Sequence, residues 1–185
     1  QLRTMPDDER DTILQEWSGD GGGPLPSDRC LHQLFELQAM AEPSATAATF
    51  LGTPMDYQTL DRRAAALASA LQANHAITAD SAVGICVNRS HEMLVAIMGT
   101  LKAGGCYVPM DPKYPFARVA SILETCGAGV VVTTEDLVGA ESLQGHGGGV
   151  QLLAVPAVVV LGTGAQTAGA AAGFALGNLA YILFT

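Results

Sequence analysis

Apolar positions along this chain follow two periods in turn, that of a helix face and that of a buried strand. Leu60, Ala64, Leu67 and Leu71 recur at i, i+4, i+7 and i+11, which predicts one face of a helix from about Tyr57 to about Asn74. Val83–Val87 is a short apolar run and reads as a strand. Met93, Leu94, Ile97, Met98 and Leu101 then line the buried face of a second helix. A strand Cys106–Met110, a helix from about Phe116 to Thr125 and a strand Gly129–Thr133 follow. Upstream, Leu31, Leu34 and Phe35 begin a helix face that Gln38 interrupts, so this helix is expected to be short. Thr46–Leu51 reads as a strand and Gly52-Thr53-Pro54 as a turn. Strands alternating with helices predict βαβ units. The expected class is α/β, with a mostly parallel sheet, flanking helices and right-handed crossovers.

The two ends differ from this middle. Residues 6–17 read as an amphipathic helix: Pro6 suits its first turn, Asp7, Asp8 and Glu9 favour its positive end, and Ile13, Leu14 and Trp17 share a face. Ser18 to Asp28 is rich in Gly, Pro and Ser and marks a boundary. From Ser142 to Thr185 the chain carries no Asp, Glu, Lys or Arg. Leu152–Leu161 and Leu179–Phe184 are apolar, and an Ala/Gly-rich run, Thr163–Gly177, lies between them. Pro156 and several glycines interrupt this stretch short of the roughly 20 apolar residues of a membrane span. Buried strands joined by a loop are the expectation, and a membrane tether is the alternative.

Composition narrows the class. The chain has 185 residues, 49% hydrophobic and 15% charged, enough for one domain with a core and too apolar for disorder. Its net charge of −9 argues against nucleic-acid binding, which needs a basic face. A nucleotide ligand is not excluded, because backbone amides at a glycine loop hold phosphates without many cations. Cys30, Cys86, Cys106 and Cys126 form no C-x-x-C pair, and no histidine lies beside them at metal-ligand spacing. Cys86 and Cys106 sit in apolar strand-like runs and read as small buried apolar residues in a reducing compartment. His32, His75, His91 and His146 are scattered and read as surface or capping residues. A start at Gln1 with no signal peptide predicts an excerpt of a longer polypeptide in the cytoplasm.

The most specific stretch is Leu101-Lys102-Ala103-Gly104-Gly105-Cys106-Tyr107-Val108-Pro109-Met110-Asp111-Pro112-Lys113-Tyr114-Pro115. As a pattern it is a helix end, a glycine break, a short strand and a proline-rich turn. As an ordered run it resembles a core motif of the adenylation domains of nonribosomal peptide synthetases, within the acyl-adenylate-forming family that binds AMP. Met55-Asp56-Tyr57-Gln58-Thr59-Leu60 is similar to that family's first core motif. Val83-Gly84-Ile85-Cys86-Val87-Asn88-Arg89-Ser90, with the chain on to Arg118, resembles the peptide-synthetase branch. Asn178-Leu179-Ala180-Tyr181-Ile182-Leu183-Phe184-Thr185 looks like the opening of the third core motif, which in the family continues into a Ser/Thr/Gly-rich phosphate loop. Cys106 and Met110 replace the more usual Ala and Ile or Leu, apolar exchanges a core tolerates. Glu9–Trp17 is similar to the segment that joins a condensation domain to an adenylation domain.

The resemblance implies the N-terminal, truncated part of the adenylate-forming fold. Residues 1–29 would be a linker after a condensation domain, and 30–185 an incomplete adenylation domain. The implied parent is an ATP-dependent ligase that joins an amino acid to AMP and then loads it on the phosphopantetheine thiol of a carrier domain, with Mg²⁺ assisting. Condensation and carrier domains of the same polypeptide would be its partners, with neither nucleic acid nor membrane. The piece alone is expected to be inactive. Thr185 is the one position that carries over, as a hydroxyl donor to an ATP phosphate; no catalytic and no metal-ligating residue is assigned. Lys102, Arg118 and Asp111 read as structural: a cation at a helix C-terminus, a local cap or pair, and a turn acceptor. The competing reading is a stand-alone, non-catalytic α/β binding module.

Overall fold

A computed structural model describes residues 29–143, 150–155 and 178–184. The expected 6–17 helix, the 18–28 linker, most of the uncharged run and Thr185 lie outside them. Helix α1 covers Leu31–Ala41. A hairpin follows, β1 (Thr46–Phe50) with β2 (Thr53–Asp56), and then helix α2 (Tyr57–His75). Next come β3 (Ala82–Cys86), α3 (His91–Ala103), β4 (Cys106–Met110), α4 (Phe116–Cys126), β5 (Val130–Thr133) and β6 (Gln151–Ala154).

The sheet order is β4-β3-β5-β6 and every pair is parallel, as the alternation of elements predicts. Parallel pairing puts crossover helices on the sheet, so the central strands are wet on neither face. Val83, Ile85 and Val87 with Val130 and Val132 face Leu60, Leu67 and Leu71 of α2 and Val95 and Ala96 of α3. Cys86 and Val131, with Val108 and Met110, face Val119, Ile122 and Leu123 of α4. The period of two along β3 and β5 thus serves two cores, one on each side.

Local chemistry starts and stops these elements. Asp56 caps α2 by accepting the Thr59 N–H over 2.7 Å, and that bond holds its carboxyl below the usual range. Ser90 caps α3 through the Met93 N–H. The glycine pair between α3 and β4 has two jobs. Gly104 sits at φ 95°, a left-handed cap that L side chains avoid, and donates back to Thr100 and Leu101. Gly105 gives close approach, since a Cβ there would lie 2.9 Å from the Ser81 carbonyl that receives the Cys106 N–H.

Three expectations are corrected. Thr53 and Pro54 are not a turn but the start of β2; the turn is Leu51-Gly52, and Pro54 is tolerated because this two-stranded ladder is all edge. Leu31 is 59% exposed, while His32, expected at the surface, is 7% exposed. Helix α1 lies on α2 and α3 with His32 and Ala39 inward and Phe35 against the core, a narrower stripe than Leu31-Leu34-Phe35 predicts. The buried stripe of α3 is displaced from the predicted one: Val95, Ala96, Gly99 and Thr100 are buried along with Met98 and Leu101, whereas Met93, Leu94 and Ile97 are only half-buried, because α2 packs on the helix from outside. The Cys86 and Cys106 side chains are buried, as read, and all four cysteines are free thiols.

Helices α2 and α3 approach through Gly99, where a Cβ would lie 2.9 Å from the Leu67 Cβ. That atom cannot swing aside, so the helices would have to part. Gly99→Ala is expected to lower stability by about 1 kcal/mol. The overpacking penalty of about 1–3 kcal/mol exceeds the roughly 1 kcal/mol gain in helix propensity. Urea unfolding measures it, and equal or higher stability would contradict this packing.

Burial lowers the His32 pKa from 6.5, with the Lys102 charge adding and Glu36 opposing. The unfolded chain therefore binds more protons between the folded and unfolded values, so stability rises with pH across that window. It is full above about 6.5 and falls as the solution is acidified toward the lowered value. His32→Gln is expected to flatten this slope between pH 7 and 5, read from urea midpoints at each pH.

Candidate functional site

In open parallel sheets, ligands bind beyond the carboxyl ends of the strands, where neighbouring strands send their connections in opposite directions. Here that place is between β3 and β5: the chain leaves β3 toward β4 on one side and β5 toward β6 on the other. A buried hydrogen bond closes the two strands at this point, the Thr133 hydroxyl donating to the Cys86 carbonyl over 2.8 Å. The rim above carries both signs of charge: Arg89 and Lys113, with Asp111, Glu135 and Asp136, are all exposed. At the start of α3, Arg63 donates to Glu92 over 3.1 Å. Burial raises the Glu92 carboxyl's pKa, yet hydrogen bonds from its own backbone, Arg63 and Ser90, with the Arg63 charge, bring it below the usual range.

The three residues read as structural each make contacts within the fold. Asp111 closes the turn after β4, its carboxylate accepting the Lys113 N–H and its carbonyl the Tyr114 N–H, both over 2.9 Å. Arg118 lies over the Tyr114 ring, 5.0 Å from its centre. Lys102 is at the far end of α3, about 20 Å of helix from the rim, and its side chain is 7% exposed. There it pairs with Glu36 of α1 and, over 3.0 Å, with Asp61 of α2. It is a three-helix anchor as well as a dipole complement, and it faces away from the switch point.

Thr185, the expected phosphate contact, lies outside the described residues. The chain that leads to it is described. Residues 178–184 lie on the outer side of β4: Tyr107 donates to the Ala180 carbonyl over 3.0 Å and Ile182 to the Tyr107 carbonyl over 3.1 Å. Tyr107 and Tyr181 form a parallel bridge with their rings 5.6 Å apart. Ile182 and Phe184 pack against the α4-side core. This segment therefore runs parallel to β4, from its amino end toward its carboxyl end.

Asp80, which nothing in the sequence pattern singles out beyond an Asp in a turn, holds the beginning of that segment. Its carboxylate accepts the Leu179 N–H over 2.7 Å and the Asn178 amide over 2.9 Å. A cavity of about 230 Å³ beside it, reached by His32, Leu101, Gly105 and Leu179, is at the amino end of the sheet, away from the switch point. Burial raises the Cys106 and Cys126 thiols, so neither is a ready nucleophile at neutral pH. Among the described residues no three His, Cys, Asp or Glu side chains gather as a cation site. No described helix is long and apolar enough to cross a membrane.

A family model for AMP-binding enzymes matches residues 35–185. Tyrocidine synthase 3 of Brevibacillus parabrevis is 41% identical over 137 residues, covering 74% of this chain and 2% of that protein. Malpinin synthetase of Mortierella alpina is 35% identical over 188 residues, covering all of this chain and 2% of that one. Among solved structures, the nonribosomal peptide synthetase FmoA3 in its AMPPNP-bound form superposes with a TM-score of 0.65 at 31% identity. The match covers 79% of this chain and 15% of that one. The chain thus spans only a small part of the relatives it matches.

The Thr133–Cys86 bond can be tested by itself. Thr133→Val keeps shape and strand propensity but leaves the buried carbonyl without this donor. A loss of about 1 kcal/mol is expected, measured by urea unfolding. No loss would mean that the carbonyl is satisfied from elsewhere.

Proposed function

This chain belongs to the AMP-binding enzyme family, and from that premise we propose that it serves an adenylation domain of nonribosomal peptide synthesis. Residues 30–185 form the N-terminal part of that domain, and residues 1–29 the linker after a condensation domain. The activity is ATP-dependent activation of an amino acid. Its carboxylate oxygen attacks the α-phosphorus of ATP, a new P–O bond forms, the bond to the β-phosphate oxygen breaks and pyrophosphate leaves. The thiol of a carrier-domain phosphopantetheine then attacks the acyl carbon of the aminoacyl-AMP. A thioester forms, AMP leaves, and the thiol proton passes to solvent. Adenylation is needed because a free carboxylate has no adequate leaving group.

The contribution of this chain is positioning. The observation that carries the reading is the meeting of two distant motifs. The Leu101–Pro115 stretch builds the corner from α3 into β4, and Asn178–Phe184 pairs with that same strand through Tyr107. An isolated parallel bridge, Tyr107 to Tyr181, thereby joins the outer edge of β4 to a segment whose sequence leads into Thr185, the residue read as a hydrogen-bond donor to phosphate. The carrier partner, the cytoplasmic setting and Mg²⁺ are parts of the same proposal.

The test is amino-acid-dependent exchange of labelled pyrophosphate into ATP, by the protein at its native length, against a panel of amino acids. One or a few of them are expected to raise exchange at least about tenfold above the ATP-only rate. No stimulation by any amino acid or aryl acid, with ATP and Mg²⁺ saturating, would reject the activity.

A further inference from the structure

Residues 178–184 present a register problem. Ala180, Ile182 and Phe184 form one alternating series, and Leu179, Tyr181 and Leu183 form the other. Both series are apolar. A slip of two residues along β4 would keep every side chain on its own face and most of the burial. It would also displace the segment along β4 by about 6.6 Å. The apolar pattern alone therefore does not select one register, and a polar pin is needed.

Asp80 has the geometry of that pin. It is an exposed, non-glycine residue at φ 63°, a left-handed conformation that glycine adopts more easily. Its own backbone is tied to the start of β4: its N–H donates to the Gly104 carbonyl over 3.2 Å, and its carbonyl accepts the Cys106 thiol over 3.6 Å. Its two carboxylate oxygens are spent separately, one on the Leu179 N–H and the other on the Asn178 side chain. One residue thus brackets the start of β4 and the start of the segment beside it. A shift of the segment in either direction breaks two hydrogen bonds to a charged acceptor.

We propose that Asp80 is a positioning residue, which sets the register of residues 178–184 on β4 and through that register the affinity for ATP. The effect on ATP rests on the proposed function; the register role does not.

Asp80→Gly separates this role from a merely structural one. Glycine suits the backbone at φ 63°, so the fold is kept while the pin is lost. In the native-length protein, hydrogen exchange at the Tyr107 and Ile182 amides, whose bonds define the register, is expected to accelerate about tenfold. The KM for ATP in pyrophosphate exchange is expected to rise about tenfold, while the KM for the amino acid stays within about twofold. Asp80→Asn retains an acceptor for Leu179 and can turn its amide to the Asn178 side chain. It is expected to return both readouts to within about threefold of wild type. Unchanged amide exchange in Asp80→Gly would overturn the register role. Faster amide exchange with an unchanged ATP KM, or with both KM values raised alike, would overturn the link to ATP. If the wild-type protein exchanges no pyrophosphate at all, the proposed function fails, and the Tyr107 and Ile182 amides still decide the register.

Discussion

Strand β3 has no wet face, and the architecture follows from that constraint. Val83, Ile85 and Cys86 are each at most 1% exposed, with β4 on one side and β5 on the other. Space is so short that a Cβ at Gly84 would lie 2.8 Å from the Met110 Cε and 3.0 Å from a Val131 methyl. A strand covered in this way must be apolar throughout and needs cover above and below, which the crossover helices of its parallel pairing with β4 and β5 supply. Placing α2 and α3 on one face and α4 on the other meets the requirement, and it leaves the carboxyl ends of β3 and β5 as the natural opening.

Three polar side chains fasten one element of this fold to another. Lys102 ties α3 to Glu36 of α1 and Asp61 of α2. A cation so deeply covered would be costly alone; flanked by two carboxylates, it adds less to stability than to specificity of arrangement. Thr133 fastens β5 to β3, and Asp80 fastens the 178–184 segment to the turn before β3. Each anchor holds together elements that are far apart in sequence, where apolar contact alone would permit sliding.

Much of this was legible in the amino acids, and the exceptions have physical causes. Helix α2 and strand β4 were readable to within a residue, because Leu60-Ala64-Leu67-Leu71 and Cys106–Met110 are strong, local and uninterrupted signals. Strand β2 was missed because Pro54 reads as a turn until one knows that the ladder is all edge. His32 was misplaced because its burial depends on how α1 leans on α3, a tertiary fact with no local signature. Asp80 was invisible for the same reason, since its partners are found almost a hundred residues downstream. The motifs identified the scaffold well; the anchors that hold its register are sparse, polar and non-local, and a single sequence does not display them.

The bond from Leu179 to Asp80 spans 99 residues, and this gives the fold a schedule. Of these, 68 separate the end of β4 at Met110 from Asn178, and a ribosome adding about 5–20 residues per second crosses them in roughly 3–14 s. During this interval β4 has emerged with its outer edge unpaired, displaying amide and carbonyl groups beside Tyr107. A nascent chain in that state is a target for chaperones and for neighbouring polysomal chains alike. The long reach that gives Asp80 its grip thus makes translation speed between β4 and residue 178 a determinant of how much correctly assembled protein a cell obtains.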